Sequence, residues 1–276
     1  MATGNGVEET PVVLVCTPVY RKGAYVIDKF LTNQREIQQR YPASELILAT
    51  IEDDFIGELE RLLGIYELRG RVISYKTVKP YSARSRIWNT KCGREEMRRY
   101  MLAQTEARYM LCLDADMTYD PDVIQILLKE IDGCSLAHSG CALRDFGIGL
   151  SGTACTLLTR DVLEKLEFRC YEFKNSHVIP EDLMLEVDLF RLRCKTRRGF
   201  FLSSCHYRND SEARCISPQP VGMLRRISNA PFVRYILIRA SIIMRYNITL
   251  KLKFIYNRLI GATDIEDPFQ SSIESN

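Results

Sequence analysis

The chain has 276 residues, 46% of them hydrophobic and 26% charged, with a formal net charge of +3. That is the composition of a soluble globular protein, long enough for one large domain or one domain with an appendage. No apolar run approaches the roughly 18 residues of a membrane span. The opening "MATGNGVEETP" lacks the basic and apolar regions of a secretory signal.

The first half alternates strands and helices. "VVLVC" (Val12 to Cys16), ending at Thr17-Pro18, has the continuous apolar character of a buried parallel strand. Ile27, Phe30, Leu31, Gln34 and Ile37 follow at helical spacing, and Tyr41-Pro42 ends that helix. "ELILATI" (Glu45 to Ile51) is a second strand, emptying into the acids at 52 to 54. A helix around Gly57 to Leu63 and a strand from Arg71 to Val78 come next, then an irregular basic loop through "KPYSARSRIWNTK". A helix over "REEMRRYMLAQT" leads to an apolar strand, Tyr109 to Leu113, and Pro121 opens a helix with an apolar face from Val123 to Ile131. Later segments predict a strand from Gly152 to Thr159, a short helix over "VLEKL", a helix from Pro180 to Arg193, and a strand from Gly199 to Tyr207.

Alternation of this kind predicts an α/β fold, a mostly parallel sheet with helices on both sides. Ligands of such sheets collect at the carboxyl ends of the strands. Three predicted strands end in polar or acidic loops there: Thr17 to Arg21, Glu52 to Asp54, and Asp114 to Asp116.

Asp114 and Asp116 are one residue apart, so in an extended chain their carboxylates point the same way. A divalent cation would relieve their repulsion, and hard oxygen ligands suit Mn²⁺ or Mg²⁺. The alternative is a solvated turn after a strand. None of the ten cysteines forms a C-x-x-C pair, so zinc ribbons and thioredoxin-like redox motifs are unsupported. The cysteines are expected to be reduced thiols of an intracellular, cytoplasmic protein.

"LCLDADMTYDPDVIQILL" resembles the Asp-x-Asp segment of GT-A glycosyltransferases, especially the broad family 2 type. Further blocks are similar to that family in its order: "VVLVCTPVY", "LILATIEDD", "GREEMRRYML", "GTACTLLTRDVLEKL" and "IPEDLMLEVDLFRLRCKTRRGF". The chain departs from the family at Arg94-Glu95, where Arg-Asn is frequent. The resemblance implies a GT-A, Rossmann-like catalytic domain over residues 8–212 that moves a sugar from a nucleotide-diphosphate sugar, UDP-linked first and GDP-linked second, to a glycan or lipid-linked hydroxyl. It implies inversion at the anomeric carbon. Thr17, Pro18, Tyr20, Glu52, Asp53, Arg94 and Asp114 would contact the nucleotide, with Lys91 and Arg84 as further phosphate contacts. Asp114 and Asp116 would hold the metal, and Asp182, with Glu181 second, would be the base. His206 is a candidate third metal ligand or a histidine satisfied by local hydrogen bonds. Glu181-Asp182 also fits a plain helix N-terminal acid pair.

Charge is unevenly spread. Residues 213–263 hold nine Arg and Lys and no acid, and the last thirteen hold four acids and no base. The first stretch is expected to be a basic, apolar helical extension and the second a polar tail. Residues 221–260 could lie peripherally on an anionic membrane, pack back on the catalytic domain, or make a homodimer contact. Two rival functions remain. A sugar-phosphate nucleotidyltransferase would need a Gly-rich phosphate loop that "VCTPVYRKGAY" lacks. A non-catalytic binding or scaffold protein would use the basic segment; nucleic acid is not the expected partner.

Overall fold

A computed structural model describes residues 12–77, 85–142, 148–149, 152–172, 178–220, 222–228 and 230–240. Strand β1 (Val13–Pro18) passes through a 3-10 turn (Arg21–Val26) into α1 (Ile27–Arg40). Strand β2 (Ser44–Thr50) passes through another (Asp53–Phe55) into α2 (Ile56–Ile65) and β3 (Gly70–Ser74). Then come α3 (Ser85–Gln104), β4 (Tyr109–Cys112), β5 (Met117–Tyr119), α4 (Val123–Glu130) and β6 (Leu136–Ser139). Two strand pairs flank the next segment, β7 (Cys141–Ala142) with β8 (Ile148–Gly149), and β10 (Tyr171–Glu172) with β11 (Val178–Ile179). Between them lie β9 (Thr156–Thr159) and α5 (Arg160–Leu163). Helix α6 (Glu181–Arg191), β12 (Thr196–Gly199), β13 (Ser204–Tyr207), β14 (Ala213–Ile216) and α7 (Met223–Ser228) follow, and residues 231–240 are helical.

Among the described residues, seven strands form the main sheet in the order β12-β6-β9-β4-β1-β2-β3. Only β9 runs antiparallel to its neighbours, so the sheet is mixed and mainly parallel, as the alternation predicts. Side chains of β1 alternate between its two faces. Val13 and Val15 pack with Phe30, Leu31 and Ile37 of α1 on one side, while Leu14 and Cys16 pack with Met97 and Met101 of α3 on the other. Burial on both faces is why this strand reads as an unbroken apolar run. A Leu- or Phe-sized side chain so buried contributes about 1.5–3 kcal/mol.

Several expectations change. The basic stretch is helical from Ser85, and residues 78–84, with Arg84, lie outside the described residues. No proline follows Pro80 in that stretch, and its Asn89 is buried. The helix can lie close because Gly93 has no side chain: a Cβ there would sit 3.0 Å from the Tyr75 ring and 3.4 Å from Pro18 Cβ. The strand expected from Gly152 is confined to β9, because Gly152 (φ +148°) and Cys155 (φ +58°) turn the chain first. The strand expected from Gly199 to Tyr207 is divided: β12 pairs with β6 in the main sheet, and β13 pairs with β5 and β14 in a second one.

Nor are all cysteines reduced. Cys205 and Cys215 face each other across the β13–β14 hairpin and form a disulfide, while the other eight are free thiols. The same hairpin crosses residue 212, the expected domain boundary.

Candidate active site

The sheet order sets β1 between β4 and β2, so the three polar strand ends lie side by side. On the first, Thr17 is fully buried, and its hydroxyl makes no hydrogen bond among the described residues. Beyond Pro18, the Tyr20 phenol accepts a hydrogen bond from Tyr75 (3.1 Å) and donates one to Thr90 of α3 (3.4 Å). Burial pushes both phenols above their ordinary range. On the second, Glu52 accepts the Arg21 backbone N–H at 2.6 Å. The Arg21 guanidinium pairs with Asp54 (3.1 Å) and Glu58 (3.2 Å), and Asp53 is exposed in the 3-10 turn.

The third strand end carries the carboxylate pair, and its geometry corrects the same-face expectation. The chain is not extended through Asp114-Ala115-Asp116. Residues 115–116 form a turn, closed by the Met117 N–H donating to the Asp114 carbonyl at 3.2 Å, which leads into β5. The two carboxylates therefore take different partners. Asp114 accepts a hydrogen bond from Arg94 Nη2 at 2.8 Å, and its N–H donates to the Tyr119 hydroxyl at 3.1 Å. Asp116 Oδ2 lies 3.4 Å from His206 Nε2. This second pairing follows from β5–β13 register, in which His206 is opposite Met117, and the Tyr207 N–H donates to the Asp116 carbonyl at 2.9 Å.

Arg94 links strand end to helix. Only 3% exposed, it holds Asp114 through one nitrogen and Glu181, at the start of α6, through the other. Thr153 donates to the same Glu181 oxygen at 3.4 Å. Burial, countered by Arg94 and reinforced by Asp182, pushes the Glu181 carboxyl up to about 7. Asp182 is less covered than Glu181 and accepts the Leu183 N–H at 2.8 Å; burial raises it too. Acids at a helix N-terminus also meet the positive end of the helix dipole.

The structure thus brings Arg94, Asp114 and Glu181 into contact, with Asp182 adjoining and Asp116 beside His206. It does not bring Asp114, Asp116 and His206 together as one ligand set. Among the described residues no group of three or more His, Cys, Asp or Glu side chains is poised around a single point. Asp116 and His206 alone offer a carboxylate oxygen and an imidazole nitrogen in close approach, a donor set that a divalent first-row metal accepts. Lys91 is half-buried on α3. Tyr75, Thr90, Tyr119 and Thr153 were not legible as site residues, because isolated Tyr and Thr carry no spacing signal.

No protein-family model matches the chain, and no curated protein does. Solved structures are similar in shape. A mannosyltransferase from Pyrobaculum calidifontis, solved with GDP-Man and Mn²⁺, is 14% identical; the likeness covers 84% of this chain and 70% of that one, with a TM-score of 0.53. TarS of S. aureus with UDP is 13% identical, with 67% and 56% covered and a TM-score of 0.49. A 4-diphosphocytidyl-2C-methyl-D-erythritol synthase from Anaerococcus prevotii is 10% identical, with 56% and 76% covered and a TM-score of 0.40. Of these likenesses the first is strong enough to argue from. The fold is a mixed α/β fold of the GT-A kind.

Proposed function

We propose that this chain is a metal-dependent glycosyltransferase that uses a nucleotide-diphosphate sugar, UDP-linked first and GDP-linked second, and a hydroxyl acceptor on a glycan or lipid carrier. One observation carries the reading. Buried Arg94 ties Asp114, at the carboxyl end of β4, to the Glu181-Asp182 start of α6, and Asp116 meets His206 beside them. In a doubly wound sheet that end is where ligands bind. The fold likeness to a mannosyltransferase solved with GDP-Man and Mn²⁺ agrees with it.

Asp116 and His206, with Asp114 nearby, would hold a divalent metal, whose Lewis acidity would offset negative charge on the departing diphosphate. Thr17, Pro18, Tyr20, Glu52 and Asp53 would flank the nucleotide. Asp182 serves as base: it accepts the acceptor hydroxyl's proton as that oxygen bonds to the anomeric carbon. The bond from that carbon to the diphosphate oxygen breaks, the electron pair leaves with the diphosphate, and the configuration inverts. Glu181 is the weaker choice, because Arg94 occupies it. Arg94 positions the Glu181 and Asp114 carboxylates.

A thermal-unfolding panel of UDP, GDP and their sugars, with and without Mn²⁺, tests the reading on wild type and Asp116→Ala. A ligand at 100 times its Kd stabilises the native state by about 2.7 kcal/mol. A metal-dependent shift with one nucleotide, lost in Asp116→Ala, is the expected result. No shift with any nucleotide would overturn the transferase reading.

A further inference from the structure

The helix over residues 231–240 carries a charged side chain on its covered side and large apolar side chains on its open one. Its covered side carries Arg234 and Ile238, 9% and 7% exposed, whereas Phe232, Ile236 and Leu237 are 65%, 47% and 51% exposed. An ordinary surface helix buries its apolar stripe and shows its charges to water. Arg234 is fixed inward by Glu186 of α6, accepting from Nε at 2.9 Å and Nη2 at 2.8 Å, and Tyr235 stacks on Phe190 at 4.1 Å between ring centroids. This arrangement is therefore built by specific contacts. Helix α7 adds to the same exposure with Met223 and Ile227. Of eight large hydrophobic side chains exposed among the described residues, five lie between residues 223 and 237, so the apolar surface is concentrated in this one segment.

We propose that the outward sides of residues 223–228 and 231–240 form a docking surface for an anionic lipid bilayer. Charge selects this occupant. Residues 213–263 carry nine Arg and Lys and no acid, and Arg226 is exposed beside the apolar side chains. A second copy placing this face against its own would bring no acid from the segment to meet the exposed Arg226. Exposed apolar side chains with flanking cations fit the headgroup boundary of an anionic membrane, where each nearby Lys or Arg adds attraction to the anionic surface. Among the described residues no helix is long and apolar enough to cross a membrane. The clasp joins this surface to α6, because Glu186 lies about one turn beyond Asp182. A lipid-bound acceptor would then meet an enzyme already held at the surface; this consequence alone rests on the proposed function.

The test is co-sedimentation of the full chain with vesicles of phosphatidylcholine containing phosphatidylglycerol, against phosphatidylcholine alone. Wild type is expected to bind the first far better than the second. Combined Phe232→Ser, Ile236→Ser and Leu237→Ser should lower partitioning more than about tenfold while leaving the lipid-free melting temperature and any nucleotide-induced shift in place. Separately, Ile236→Trp should gain blue-shifted emission over native Trp88 when anionic vesicles are added. Failure of wild type to bind anionic vesicles, or equal binding by the triple variant, overturns the proposal. So does a lipid-free dimer in sedimentation velocity that the triple variant dissolves without any wild-type vesicle binding. The readout is binding, so loss of the transferase reading would leave it intact.

Discussion

Arg94 faces two carboxylates directly, Asp114 beyond the end of β4 and Glu181 at the start of α6, and a third, Asp182, nearby. Removing it would leave Glu181 buried without its cation and Asp114 without a partner on that side. Breaking a buried pair by deleting one member costs about 3–5 kcal/mol. Arg94→Ala is therefore expected to lower the urea-unfolding free energy by that amount, and Arg94→Lys by less, since a lysine keeps the charge but loses the two-pronged contact. The Glu181 carboxyl adds a pH signature. Its ordinary value is 4.5, and burial raises it to about 7 in the fold. Between those values the folded chain holds a proton that the unfolded chain releases. Its contribution to stability is therefore complete below 4.5 and disappears as pH rises through 7. Between about pH 5 and about pH 8, wild type should lose about 2 kcal/mol relative to Glu181→Gln, as unfolding at the two pH values would measure.

Helix α6 carries two ionic arrangements of different character. At its start, one arginine serves several carboxylates; one turn on, two arginines, Arg198 of β12 (2.8 Å) and Arg234, serve the single buried Glu186. Although burial alone would raise Glu186, the two guanidinium groups draw it below its ordinary value, and burial holds Arg198 down near about 10. The asymmetry predicts unequal mutational costs. Arg234→Ala leaves a one-to-one pair, whereas Glu186→Ala leaves two buried cations facing each other, so the second should cost about 3–5 kcal/mol and the first distinctly less by urea unfolding. The extent of these elements was only partly legible. β1, β2, β4, α1 and α6 announced themselves because each carries either an unbroken apolar run or a helical stripe. β6 was missed because "LAHS" is four residues long and half polar; its burial comes from lying between β9 and β12. The beginning of α3 was misread because its early residues have no apolar stripe, and tertiary packing, rather than periodicity, sustains them.

At the scale of the whole chain, the candidate site is assembled from six segments far apart in sequence: the ends of β1, β2 and β4, the middle of α3, the start of α6, and β13 with His206. Its acids and Arg94 were legible because strand-end position and local motif mark them. The partnerships were not. The Asp114–Arg94 and Asp116–His206 contacts depend on a turn at 115–116 and on the β5–β13 register, neither of which a local spacing encodes. The same long-range pairing carries the folded body past residue 212. β14 pairs with β13 and is joined to it by the Cys205–Cys215 disulfide, and Gln219 bridges to Phe200, so residues 213–219 complete the body. The helix at 231–240 covers Ile179, Met184 and Val187 of the body with Ile238. Two shortened chains separate these contributions. A chain ending at residue 222 uncovers that apolar cluster but keeps β14 and the disulfide, whose closed hairpin is worth about 3 kcal/mol in the chain-entropy model. A chain ending at residue 212 loses all of them. With about 2–4 °C of melting temperature per kcal/mol for a chain of this size, the shorter form should melt roughly 6–12 °C below the longer one under non-reducing conditions. Adding a reductant should narrow that gap, since only the longer form has a disulfide to lose.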